Sequence, residues 1–245
     1  MYIIGDIGNT ETKICLFNSE KKLILKRVLN TNEIKATNIN RKLSFLKIYK
    51  KKFIKVIFSS VVPTSFKILK IYLEKKYKLT VKELKQYNLK KILKVDVNMR
   101  QIGSDRLANA IGVIDYKRNF IVLDFGTATT FDVIDKNCYK GGIIAPGVNL
   151  SLNTLSNRAK LIPNIKLLKV KSIIGKSTQN AVRSGFYWGY QGLIENIINM
   201  IERQTKKKYY LIFTGGLSSL FKNIIKKKVI INKDLTIQGL LKLID

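Results

Sequence analysis

The chain has 245 residues, 46% of them hydrophobic, which suits one large or two small folded cores and excludes an intrinsically disordered chain. Lys and Arg number 46 against 16 Asp and Glu, a formal net charge of +30. Histidine is absent, which removes any His general base, phosphohistidine or His metal ligand and leaves acid–base chemistry to Asp, Glu, Lys, Tyr or Cys.

Residues 2–7 predict a short strand ending at Asp6, a turn at Gly8-Asn9-Thr10 and a second strand through Ile14–Phe17. Val56-Ile57-Phe58 reads as a strand and 64–77 as an amphipathic helix. A helix is expected over 104–116, with Ser104 as N-cap and Leu107, Ile111 and Ile114 at helical spacing. Phe120–Leu123 is a continuous apolar run, as in a strand covered on both faces; it ends at Asp124, turns at Gly126-Thr127 and resumes at Thr130–Ile134. A Gly-rich loop at Gly141-Gly142 and Pro146-Gly147 precedes a helix over 149–161. A longer helix over 178–204, a strand over 209–213 and the loop Thr214-Gly215-Gly216 follow. At an offset of 118 residues, Asp6 falls on Asp124, Gly8 on Gly126 and Thr12 on Thr130. That repetition predicts a duplicated α/β architecture of two lobes, 1–117 and 118–245, with the boundary near Lys117–Asn119.

The lysines are spread along the chain, in Lys21-Lys22, Lys50-Lys51-Lys52, Lys75-Lys76, Lys90-Lys91, Lys206-Lys207-Lys208 and Lys226-Lys227-Lys228, mostly between apolar residues. They read as the solvated faces of ordinary elements, and enrichment in Ile, Asn and Lys matches A/T-rich codons. The charge therefore weighs little towards a nucleic-acid partner. Cys15 and Cys138 are too few for a disulfide framework and fit no metal spacing. No segment approaches the ~20 apolar residues of a membrane span. The opening residues lack the regions of a signal peptide, so a reduced, cytoplasmic protein is expected.

Phosphoryl transfer needs carboxylates for metal, amides and hydroxyls around phosphates, and a base for the acceptor hydroxyl. Asp6-Ile7-Gly8-Asn9-Thr10-Glu11-Thr12-Lys13 contains every such component, and Asp124-Phe125-Gly126-Thr127 most of them. Ordinary hairpin turns also use Asp and Gly, but two copies at the ends of apolar strands favour a phosphate site. Thr214-Gly215-Gly216 suits a nucleotide contact and a common strand–turn–helix connection equally. Gly103-Ser104-Asp105-Arg106 opens a helix, where free N–H groups favour anions. Asp105 suits a proton acceptor and Arg106 a carboxylate fork, although a first-turn Asp with a surface ion pair accounts for the tetrapeptide alone.

These motifs, with Gly103–Ala110, Asp124–Thr130 and Gly141–Gly147 in that order, resemble the signature of type III pantothenate kinases. Ser59-Ser60-Val61-Val62-Pro63, Thr214-Gly215-Gly216 and Leu235–Leu240 fit as well, so the resemblance spans nearly the whole chain. It implies the actin-like ATPase (ribonuclease H-like) fold of the acetate kinase/sugar kinase/Hsp70/actin superfamily, with mixed sheets flanked by helices. It implies ATP-dependent phosphorylation of pantothenate at its 4′-hydroxyl, the first step towards coenzyme A, by a homodimer with the substrate pocket near the subunit interface. By the same resemblance, Asp6, Ile7, Gly8, Asn9, Thr10, Glu11, Thr12 and Lys13 bind ATP phosphates, with Asp6 holding Mg2+. Thr127, Gly215 and Gly216 contact the nucleotide, and Asp124 holds a monovalent cation, K+ or NH4+. Gly103, Ser104, Asp105, Arg106 and Thr178 bind pantothenate, Asp105 being the base. The family's substrate-contacting Tyr is missing from Val95–Arg100. Two other readings keep the fold: a kinase for a sugar or another hydroxy acid, and an inactive relative acting as an accessory regulatory or nucleic-acid-binding protein. Three separately placed acids argue against the latter.

Overall fold

The computed structural model describes residues 1–49 and 53–244; the run Lys50-Lys51-Lys52 and Asp245 lie outside the described residues. In chain order the elements are β1 (Tyr2–Ile7), β2 (Glu11–Phe17), β3 (Leu23–Asn30), α1 (Ile39–Lys42), β4 (Lys55–Ser60), α2 (Pro63–Tyr77), β5 (Val81–Glu83), β6 (Lys94–Val95) and α3 (Ser104–Val113). They continue with β7 (Asn119–Phe125), β8 (Ala128–Asp135), β9 (Cys138–Pro146), α4 (Val148–Arg158), α5 (Thr178–Thr205), β10 (Tyr210–Gly215), α6 (Ser218–Lys222), β11 (Val229–Ile231) and α7 (Leu235–Leu241). The contacts define two compact units, Met1–Ile114 with Asp234–Asp245, and Asp115–Lys233. A division at 117/118 leaves α7 in the second lobe, whereas its packing against α3 groups it with the first unit.

The first unit has a five-stranded sheet in the order β3-β2-β1-β4-β5. β1, β2 and β3 run antiparallel, and β1, β4 and β5 run parallel. Alternation sorts its side chains. Ile3, Ile7, Ile14, Leu16, Val56 and Phe58 pack with Ile39 of α1 and with Leu69 and Leu73 of α2. Ile4, Cys15 and Ile57 are also buried but point to the other face, where α3 and α7 lie against β1 and β4. Burial pushes the Cys15 thiol up to about 11, which makes it an inert core residue.

Within the second unit β9-β8-β7-β10-β11 repeats the arrangement strand for strand, with β7 in the place of β1. One face is an aromatic core in which Phe125 stacks on Phe221 of α6, 5.3 Å between centroids, and Ile121, Leu123 and Phe213 meet Tyr187 and Ile194 of α5. The repeat differs at the hairpins. Asp6 pairs with Lys13, whereas Asp124 pairs with Thr130, because the second turn is one residue shorter. The strand equivalent of Thr130 is therefore Lys13 and not Thr12.

Three local expectations change. The helix expected over 104–116 ends at Val113, and its N-cap position is Gly103 rather than Ser104, which is buried inside the first turn. Gly141-Gly142 lies within β9 rather than in a loop; Gly141, at φ 124°, accommodates the register shift opposite Val133/Ile134. The helix expected over 149–161 ends at Arg158, whereas both long helices end within a residue of expectation, each at a left-handed lysine, Lys78 after α2 and Lys206 after α5.

Candidate active site

In the first unit Asp6 is the last acid before the β1–β2 turn, half-buried, with Lys13 opposite it on β2 and Ser59 opposite it on β4. Direct cross-strand partners share a face, so Lys13, Asp6 and Ser59 form one row on the side that carries α3 and α7. The Ser59 hydroxyl is buried and has no hydrogen-bond partner among the described residues, an unsatisfied group of the kind that marks a ligand's place. Ile7 and Thr12 point to the opposite face. Thr12 is fully buried with Oγ1 2.9 Å from Thr31 Oγ1, and Thr31 donates to the Gly8 carbonyl at 2.8 Å. Their side chains brace the turn, whose exposed residues Asn9, Thr10 and Glu11 are open to a ligand. Gly8 N–H closes the turn on the Glu11 carbonyl at 3.0 Å.

On the same unit Asp105 and Arg106 occupy the first turn of α3, both half-buried. Asp105 Oδ1 accepts the Arg106 N–H at 2.8 Å. Burial pushes the Asp105 carboxyl above its ordinary value, against the opposing pull of that bond, the Arg106 guanidinium and, more weakly, Lys85. A carboxylate made more basic by burial, yet kept next to a guanidinium, has the properties of a general base for a hydroxyl. Gly103 lies behind it: a Cβ there would stand 2.3 Å from Asp105 Oδ1 and 3.6 Å from Val61, just past β4.

The second unit holds an equivalent row. Asp124 pairs with Thr130 on β8 and Thr214 on β10, on the face away from the aromatic core. The Thr130 hydroxyl is buried with no hydrogen-bond partner among the described residues, as Ser59 is beside Asp6. Gly215, at φ 82°, would place a Cβ 2.6 Å from Asp124 Oδ1, and Gly216 N–H donates to the Phe125 carbonyl at 3.2 Å. Substituting Gly215→Ala is therefore expected to cost on the order of 1–3 kcal/mol of stability, read from the shift of a urea-unfolding midpoint. Exposed Thr127 sits in the β7–β8 turn, and Gly147, at the start of α4, packs so closely that a Cβ would lie 2.1 Å from the Thr127 carbonyl oxygen. Thr178 opens α5, capped by Ser177, whose hydroxyl accepts the Asn180 N–H at 3.3 Å. Beside it Lys169, Lys171, Lys176 and Arg183 line a cavity of about 380 Å³, a setting suited to an anion.

Asp6 and Asp105 thus share one unit, while Asp124, Thr127, Thr178, Gly215 and Gly216 belong to the other. Ser59 and Thr130 were missed as site residues. The signal for them is register: each is the hydroxyl directly across from the strand-tip acid.

A sheet of one topology built twice, with an acid and a Gly turn at the tip of each central strand and a buried hydroxyl across from each acid, is the duplicated α/β architecture of the actin-like ATPase fold. A Cytophaga hutchinsonii protein described as a sugar kinase superposes with TM-score 0.53 at 14% identity, covering 100% of this chain and 99% of its own. A Campylobacter jejuni protein assigned to the Baf family of transcriptional activators superposes with TM-score 0.64 at 23% identity, over 99% and 96% of the two chains. These likenesses concern the fold. The chain belongs to the type III pantothenate kinase family, whose sequence profile matches residues 2–200. A type III pantothenate kinase of Pelagibacter ubique is 55% identical over 242 residues, 99% of this chain and 98% of its own. No helix among the described residues is long and apolar enough to cross a membrane.

Proposed function

We propose that this protein transfers the γ-phosphoryl group of ATP to the 4′-hydroxyl of pantothenate, giving 4′-phosphopantothenate and ADP at the first step towards coenzyme A. The observation that carries this reading is Asp105. In a chain of this family without histidine, it is a half-buried carboxylate of raised proton affinity at a helix N-terminus, beside the Arg106 guanidinium. Asp105 takes the proton of the acceptor hydroxyl as the hydroxyl oxygen bonds to phosphorus and the bond to ADP breaks. Arg106, with Gly103 and Ser104, receives the pantothenate carboxylate, and Thr178 contributes from α5. The segment from Asp6 to Lys13 wraps the ATP phosphates, while Thr127, Gly215 and Gly216 contact the nucleotide.

Magnesium fits the Asp6–Ser59 row and a monovalent cation the Asp124–Thr130 row, since each offers a carboxylate beside a buried hydroxyl with no partner among the described residues. Both are hard oxygen donors. Mg2+ is commonly held by one or two carboxylates and the nucleotide's own phosphates, a role the single Asp6 carboxylate suits. Bound there, the cations supply charge neutralisation for the transferred group.

The two units correspond to the two lobes of the actin-like fold, and the protein works as a cytoplasmic homodimer. Gly185, Gly189 and Gly192 on one exposed stripe of α5 support the dimer: nothing lies within 4 Å of where their Cβ atoms would stand. Each costs a helix up to about 1 kcal/mol relative to Ala, with no return inside the chain.

A coupled ADP-release assay tests the reading. Release is expected to require pantothenate, Mg2+ and K+ or NH4+ together, and to drop to background when any one is omitted. Pantothenate-independent release at the full rate would overturn the assignment.

A further inference from the structure

The C-terminal motif Leu235–Leu240 has no part in the roles above, yet it makes the tightest helix contact of the first unit. A Cβ on Gly239 would lie 1.8 Å from the Ala108 carbonyl oxygen and 3.1 Å from Gly112 N, and one on Gly112 would meet Leu235 Cδ1 at 2.7 Å. Gly239 has no positive φ, so space and not conformation excludes a side chain. Alongside, Thr236 Oγ1 donates to Asn109 Oδ1 at 2.8 Å, both residues being buried. Lys242 Nζ donates to the carbonyls of Ile111 and Gly112 at 3.0 and 2.9 Å, taking up acceptors that the last turn of α3 leaves open. The segment is itself anchored at both ends: Lys26 pairs with Asp234, and Lys55 Nζ donates to the Leu243 carbonyl at 2.8 Å. Ala108 lies three residues along the same short helix from Asp105, about 4.5 Å of axial rise. A hydrogen-bonded helix of ten residues moves as a unit, so a displacement at Ala108 reaches Asp105 almost undiminished.

We infer that α7 sets the position of Asp105, with Gly239 and Thr236 as positioning residues that act through α3. This rests on the assignment of Asp105 as the base. In the full-length protein Gly239→Ala is expected to lower kcat about 10- to 100-fold, the cost of roughly an ångström of misplacement, while KM for ATP stays within about threefold. Thr236→Val is expected to lower kcat several-fold, and Thr236→Ser, which keeps the hydroxyl, to restore it. The control is Leu69→Ala, which removes a fully buried side chain on the opposite face of the sheet. It lowers the melting temperature yet leaves kcat per folded molecule within about twofold of wild type. A folded Gly239→Ala with wild-type kcat overturns the inference, as does a Leu69→Ala variant that loses kcat to the same degree. Should Gly239→Ala not fold, the Thr236 pair decides, and equal kcat in Thr236→Val and Thr236→Ser overturns it. If Asp105→Asn itself keeps full activity, the base assignment has failed, an outcome distinct from an inactive Asp105→Asn with an unaffected Gly239→Ala.

Discussion

Asp105→Asn is expected to lower kcat about 10²- to 10⁴-fold, the usual contribution of a positioned general base. It should leave ATP binding intact and the fold at least as stable at neutral pH. Asn keeps an oxygen for the Arg106 N–H, so the first turn of α3 retains its geometry. The stability expectation follows from the sign of the shift. Burial raises the folded-state pKa of Asp105 above that of the unfolded chain. Holding the ionised carboxylate in the fold therefore costs stability above the folded pKa, and the cost disappears as pH falls through that value. The Asn variant carries no such cost. Urea unfolding should show the wild type gaining on the variant as pH is lowered, and the variant equal or ahead at pH 7. In kinetics the same shift places the acid limb of the wild-type kcat/KM profile above the ~4 of an ordinary aspartate. An Asp105→Asn variant that unfolds more readily at pH 7 and keeps its turnover would show a structural Asp instead.

Asp6→Asn is expected to be at least as damaging, by about 10³-fold or more in kcat/KM, with a different signature. Asp6 sits in a rigid row between Lys13 and Ser59, so its loss removes negative charge from the place proposed for Mg2+ without freeing a strand. The rise in melting temperature that ATP with Mg2+ gives the wild type should vanish in Asp6→Asn and persist in Asp105→Asn. Identical thermal responses to ATP in the two variants would place Asp6 outside the nucleotide site.

The strand-tip acids, their glycine turns and the repeat between the two halves were readable because each is a local pattern of a few residues on an apolar strand. The long helices were legible from their periodicity. Their ends were legible to within a residue even though lysines, not glycines, take the left-handed cap positions, whereas the shorter helices expected over 104–116 and 149–161 stop three residues early, at Val113 and Arg158. Gly141-Gly142 reads as a loop from composition, and only its pairing partner across β8 makes it a strand. The one-residue difference between the two hairpins was invisible for the same reason: register is a property of two segments, not one. Ser59 and Thr130 needed that register to be noticed. The association of α7 with α3 depends on a contact across more than a hundred residues, and no local pattern announces it.

That contact bears on how the protein is made. The whole of Asp115–Lys233 is synthesised between α3 and the segment that closes over it. The first unit therefore cannot complete its core while the ribosome is still translating the second, whose contacts are contiguous in the chain. The N-terminal half waits, with the backbone of Ala108 and the last carbonyls of α3 uncovered, until α7 and Lys242 are made. Completion of the first unit and of the surroundings proposed for the base Asp105 then become one event that follows synthesis of residues 115–233.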